Sequence, residues 1–284
     1  MLQLSPLRYP GSKRKIYKYF DKIVSYNKMS PQLFVEPFVG GGSIFINFLV
    51  NHKYSTAIIA DKDKLIYSFW KTLFDEPGYI TRFISKVPIS IKKFDEYRNI
   101  ANHQHIYPRN KLAEACLFLN RTSFSGILNT SSGPIGGRKQ KSVYRINCRF
   151  SRKILISRVR FVATFRHRVV VLNTDWRETL KKVKNVRIKN KKVLYYFDPP
   201  FFNKARHLYR YYFDEAHHKD LRNELIKIKQ PWILSYDNTP EIINLYSAFK
   251  KIHVSVPYSI NSPAKRLEKE LIITPLKLPR INAN

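Results

Sequence analysis

The stretch LFVEPFVGGGSIFINFL, residues 33–49, decides how the rest of the chain is read. It opens with a short apolar run, Leu33–Glu36, passes through Pro37-Phe38, and reaches three consecutive glycines, Gly40, Gly41 and Gly42. An apolar helical pattern follows from Ser43. A strand that runs through a glycine loop into a helix is the opening unit of an open α/β sheet, and such sheets bind ligands beyond the C-terminal ends of their strands. The glycines let the backbone approach a ligand closely, and Ser43 is expected to cap the helix. The loop is not GxGxxG, and no GK[ST] follows, which disfavours ATP.

Outward from this unit the alternation continues. Strands are predicted at Leu33–Glu36, Thr56–Ala60, Val169–Leu172, Val193–Phe197, Trp232–Ser235, Ile252–Val256 and Leu271–Thr274. Helical patterns fall at Ser43–Val50, Lys64–Phe74, Arg177–Val183, His217–Ile228 and Pro240–Phe249. The expected fold is α/β, a Rossmann-like mixed sheet of about seven strands. Residues 257–270 read as a loop, so the last two strands should form an antiparallel hairpin at one edge. The alternation breaks between the second and third strands, where Lys111–Arg121 is helical and TSFSGILNTSSGPIGGRKQKS is a polar loop. The division expected is a main domain of residues 1–75 and 166–284 and a mostly helical insertion at 76–165.

Glycine is scarce: nine residues, where average usage of roughly 7% gives about 20. Eight of the nine fall in three places: Gly11; Gly40–Gly42; and Gly126, Gly133, Gly136 and Gly137. Such economy marks these stretches as places where a side chain would obstruct something.

Charge narrows the function. The 284 residues carry 52 Lys/Arg against 20 Asp/Glu, a net +32. Between Glu114 and Asp175 lie 60 residues with no acid and twelve Lys/Arg, interleaved with Tyr144, Phe150, Phe161 and Phe165. KKVKNVRIKNKK at 181–192 adds seven more positives. A charge run is ordinarily a solvated face, but this interleaving suits a surface that grips phosphates. Double-stranded nucleic acid is the expected partner, and a membrane is not. Two cysteines, Cys116 and Cys148, cannot build a disulfide framework. With no apolar leader in MLQLSPLRYP, this points to the cytoplasm.

Two acids stand at strand ends. Asp61 closes AIIAD, 19 residues after Gly42, where a carboxylate suits the two hydroxyls of a ribose; a helix cap is the plainer alternative. VLYYFDPPFF runs a strand directly into Asp198-Pro199-Pro200-Phe201. Two prolines stiffen the backbone. The Asp carboxylate and an outward carbonyl can accept the two hydrogens of an exocyclic amine, and Phe201 offers a face for a base to stack on.

RYPGSK near the start, EPFVGGGS, Ala60-Asp61 and DPPF together resemble the Dam-type S-adenosylmethionine-dependent DNA adenine-N6 methyltransferases, in that family's order and over most of the chain. LFLNRTSFSGILNT at 117–130 is similar to the family's LNRxxxNG segment near DNA. The resemblance implies S-adenosylmethionine contacts from Tyr9, Gly11, Lys13, Glu36, Pro37, Phe38, Gly40, Gly41, Gly42, Asp61, Asp175 and Asp198. It implies catalysis at Asp198, Pro199, Pro200 and Phe201, with base flipping of the target adenine. The insertion becomes the target-recognition domain, with Arg121, Asn129, Arg138 or Lys139 reading base edges. No metal is expected. The chain departs from the family in Phe201, where Tyr is usual, and in Ser125-Gly126, where Asn-Gly is common. The resemblance further implies a monomer, with a cognate restriction endonuclease as a partner to test for. The rival readings are an RNA exocyclic-amine methyltransferase and an inactive nucleic-acid-binding relative. Charge disfavours a dehydrogenase. His103, His105, His217 and His218 read as surface helix positions, Cys116 and the three tryptophans as core, and Tyr258 as a loop aromatic.

Overall fold

The computed structural model describes residues 4–8, 13–126, 128–129, 132–185, 192–203, 211–258 and 266–280. Its strands are β1 (Leu33–Glu36), β2 (Thr56–Ala60), β3 (Val169–Leu172), β4 (Val193–Phe197), β5 (Trp232–Asp237), β6 (Lys250–Tyr258) and β7 (Arg266–Thr274). They form one sheet in the order β3-β2-β1-β4-β5-β7-β6. β1 to β5 pair in parallel, and β7 runs antiparallel to both β5 and β6. The order reverses between β1 and β4, the crevice position at which open α/β sheets take ligands.

The predicted first four strands match residue for residue. β1 and β4 are buried along their whole length, as expected of central parallel strands covered on both faces. The last two strands are longer than predicted, so the expected 257–270 loop is mostly hairpin: Val256 pairs Glu268 and Tyr258 pairs Arg266. The added residues are charged and have low strand propensity, and the ladder overrides it. Pro257 is tolerated because β6 is an edge strand.

Helices among the described residues are α1 (Arg14–Tyr26), α2 (Ser43–Asn51), α3 (Lys64–Asp75), α4 (Pro77–Lys86), α5 (Ile91–Asn102), α6 (Arg109–Thr122), α7 (Arg152–Ala163), α8 (Trp176–Asn185), α9 (Glu215–Lys227) and α10 (Pro240–Leu245). None is long and apolar enough to cross a membrane. Alternate strand residues face opposite layers. Phe34, Ile59, Leu194 and Ile233 join α1 to α3 and the helices of 77–163 in one core; Val35, Ile58, Tyr195 and Leu234 join α8 to α10 in the other. α3 packs on α6, so the inserted helices share the sheet's own core.

Two local expectations change. α2 is preceded by Gly42 at φ 67°, with no side-chain cap from Ser43. Glu36 on β1 supplies the missing acceptor, taking Phe45 N–H at 3.0 Å. His218 is not a surface residue: it is buried, with Nδ1 2.6 Å from Tyr236 Oη, and burial pulls its pKa down to about 4. Cys116, Trp70, Trp176 and Trp232 are core, as expected.

Candidate active site

The glycine loop leaves β1 and is held from three sides. Trp70 Nε1 donates to Gly40 O at 3.0 Å, Ser5 Oγ donates to Gly41 O at 2.5 Å, and Gly40 N–H donates to Asp61 Oδ2 at 3.0 Å. At Gly42 a Cβ would lie 2.4 Å from Phe45 Cε1 and 2.5 Å from Trp70 Cζ2, and the backbone is left-handed there. Only glycine fits the turn.

Across the switch point, the end of β4 presents Asp198. Its Oδ1 lies 2.9 Å from Lys13 Nζ and accepts a hydrogen bond from Ser235 Oγ at 2.7 Å. Tyr196 Oη, 2.7 Å from Ser235 Oγ, extends the chain inward. Lys13 also pairs with Glu270 Oε2 at 2.9 Å, and both side chains are nearly buried. Asp237, at the end of β5, accepts Phe202 N–H at 2.9 Å and Asn203 N–H at 3.2 Å, fixing the backbone just beyond the two prolines. Phe201 is 2% exposed, and Lys13 Nζ stands 5.0 Å from its ring centroid. The free stacking face expected at Phe201 is therefore covered in this structure, because the ammonium that binds Asp198 also lies over the ring.

The rim is rich in carboxylates. Burial pushes Glu36 well above the usual range, with Asp198 and Asp61 adding repulsion. Burial, then the neighbouring Asp63, pushes Asp61 up to about 7, while its bonds from Asp63 and Gly40 N–H pull the other way. The helix cap of α3 is Asp63, which accepts Leu65 N–H at 2.9 Å. Asp61 is therefore not the helix cap that its plainer reading made it. Asp175 accepts Glu178 N–H at 2.8 Å and so caps α8. Pro37 is buried, and Phe38 packs edge-on against Phe213. Tyr9 and Gly11 lie outside the described residues.

The insertion residues divide. Arg121 does not face a groove: it is 5% exposed and donates through Nε and Nη2 to Pro6 O, Nε at 2.8 Å. It is buried because the segment before α1 lies across the end of α6 and needs a donor for that carbonyl. Burial, followed by Arg158, Arg8 and Arg149, draws its pKa down to about 9. Asn129 Oδ1 accepts Ser132 N–H at 3.0 Å, Arg138 forms a bidentate pair with Asp95, and Lys139 is exposed.

The structure thus brings together Lys13, Gly40–Gly42, Asp61 and Asp198, with Glu36 behind them. Ser235, Asp237 and Glu270 are additions that the sequence reading missed. Asp237 sits at a strand end in SYDN, the kind of position already flagged for Asp61 and Asp198. Glu270 lies in the charged run KRLEKE and carries no such signal. A family model for D12 class N6 adenine-specific DNA methyltransferases matches residues 9–260. No curated protein matches the chain significantly.

Proposed function

Because the chain belongs to the D12 class of N6 adenine-specific DNA methyltransferases, we propose that its methyl donor is S-adenosylmethionine and its acceptor an adenine swung out of duplex DNA. The enzyme methylates adenine N6 in DNA; the donor, the flipping and the residue roles are the proposal. The observation that carries it is the geometry of Asp198. Lys13 and Ser235 both bind Oδ1, which orients the carboxylate and leaves Oδ2 to accept one N6 hydrogen.

The donor set suits S-adenosylmethionine, whose role when bound is to supply an electrophilic sulfonium methyl. Asp61, pushed up to about 7 beside Gly40, gains from two ribose hydroxyl donors. The glycine loop would lie along the methionine portion. Two positive charges, Lys13 and the sulfonium, would face two carboxylates, Asp198 and Glu270.

The chain's own part is alignment. The amino nitrogen of adenine shares its lone pair with the ring. If Asp198 Oδ2 accepts one N–H and a carbonyl of the Asp198–Pro200 backbone the other, the lone pair is localised and aimed. The prolines hold that carbonyl in place, and Asp237 holds the two residues after Phe201. Proximity and alignment then carry most of the rate. A base seated on Phe201 must first displace the Lys13 ammonium from its ring. Residues 76–165 would read the target and the remaining residues would catalyse.

The test is to incubate the protein with methyl-labelled S-adenosylmethionine and either duplex DNA or RNA, then digest to nucleosides. Label in N6-methyladenine from duplex DNA supports the reading. Label confined to RNA, or to cytosine, contradicts it.

A further inference from the structure

Four arginines converge on the segment that leads into the site, and no carboxylate accompanies them. Arg121 holds Pro6 O, and Arg158 Nη1 donates to the neighbouring Ser5 O at 3.3 Å. Arg8 belongs to the segment itself. Asn120 clamps its backbone, accepting Arg8 N–H at 2.6 Å and donating to Arg8 O at 2.7 Å. Arg8 Nη1 is buried without a hydrogen-bond partner. Arg149 repels both Arg8 and Arg121 electrostatically.

The sequence explains why no acid is near. Residues 1–20 contain none, and neither do residues 115–174. The segment 5–8 and the ends of α6 and α7 come from these two stretches. Backbone carbonyls satisfy some guanidinium N–H groups but cancel no charge. Like charges brought together and part-buried need a counter-charge. Several guanidinium forks around one point match the oxygens of a phosphate.

We propose that Arg8, Arg121, Arg149 and Arg158 form a seat for one backbone phosphate of the substrate duplex. The proposal rests on the chain acting on duplex DNA and assigns Arg121 to phosphate rather than to base edges. The seat adjoins the catalytic site through the same segment, since Ser5 Oγ donates to Gly41 O. A phosphate held here fixes the register of the duplex against the glycine loop.

The test uses the full chain and an Arg149→Gln/Arg158→Gln double variant, whose side chains are exposed or half-buried and leave the core intact. Duplex affinity should fall about tenfold, and the slope of log affinity against log salt should shrink by about 0.9, the loss of one phosphate contact. Duplexes carrying single neutral methylphosphonate linkages sharpen the test. One linkage should weaken binding to the wild-type chain and cost nothing further in the variant. Unchanged affinity and slope in the variant overturn the seat, as does a variant that stays sensitive to every linkage the wild type senses. Thermal stabilisation by inorganic phosphate that is lost in the variant, with an unchanged duplex slope, would mean a free-anion site and also overturn it. S-adenosylhomocysteine binding is measured alongside. If the wild-type chain does not bind it while the salt slope still responds, the donor assignment fails and the seat stands.

Discussion

The rim of the sheet and the inserted helices deploy charge in opposite ways. At the rim, Glu36, Asp61, Asp198 and Glu270 gather around one lysine, and each carboxylate has a specific donor: Phe45 N–H, Gly40 N–H, Ser235 with Lys13, and Lys13 again. In residues 115–174 there is no acid, and the positive charges outnumber any partner the chain can offer them. The first pattern is complete within the protein and fixes atoms in place. The second is incomplete and awaits a polyanion. Single substitutions should therefore abolish function at the rim and only erode it in the insertion.

The largest effect that sharpens this contrast is expected at Gly42→Ala. The new methyl group would collide with Phe45 and Trp70 at a left-handed backbone position. The cost is about 2–4 kcal/mol from overpacking and strain together, read as a lowered melting temperature with S-adenosylhomocysteine binding lost. A variant as stable as the wild type would show that the loop is not built as described.

Next comes Glu270→Gln, which keeps the shape but removes the charge facing Lys13. Single-turnover methyl transfer should drop by roughly 10–100-fold, the range for a lost positioning group, with duplex affinity and melting temperature unchanged. Equal losses in transfer and in stability would make Glu270 merely structural.

A smaller, graded effect concerns pH. Asp61 is raised to about 7 in the fold, so its contribution to stability is fully present below its unfolded value of 3.8 and is lost as pH rises through about 7. Ribose hydroxyls favour the ionised form, so S-adenosylhomocysteine should bind more tightly from pH 6 to pH 8 and release a proton. Asp61→Asn should flatten that dependence, as calorimetry in two buffers would show. A wild-type affinity independent of pH would contradict the assignment.

The smallest effect is expected at Arg138→Ala. Its pairing with Asp95 is solvent-exposed, and such pairs add little. Melting temperature should not move, and duplex affinity should fall by a few-fold regardless of sequence. A change of target site instead would make Arg138 a base reader.

Residues whose role follows from strand ends were readable in the sequence. β1 to β4 are β-branched and apolar runs buried on both faces, and Asp61 and Asp198 follow the ends of two of them. Glu270 was not readable, because only the insertion of β7 between β5 and β6 brings residue 270 to residues 13 and 198. Arg121 misled because LFLNRT places it in a helix without showing which face the segment 5–8 covers. Phe201 misled for a similar reason: its ring is aromatic in sequence, but the position of Lys13 over it is set by tertiary packing.

The central claim is that one carboxylate, fixed through Oδ1, aligns the adenine amino group at the switch point. Asp198→Asn keeps the size and removes the charge. The account predicts that single-turnover methylation of duplex DNA falls by at least about a thousandfold, in line with losing an acceptor on which alignment depends, while duplex affinity stays within a few-fold of the wild type. Methylation by Asp198→Asn at the wild-type rate would contradict it.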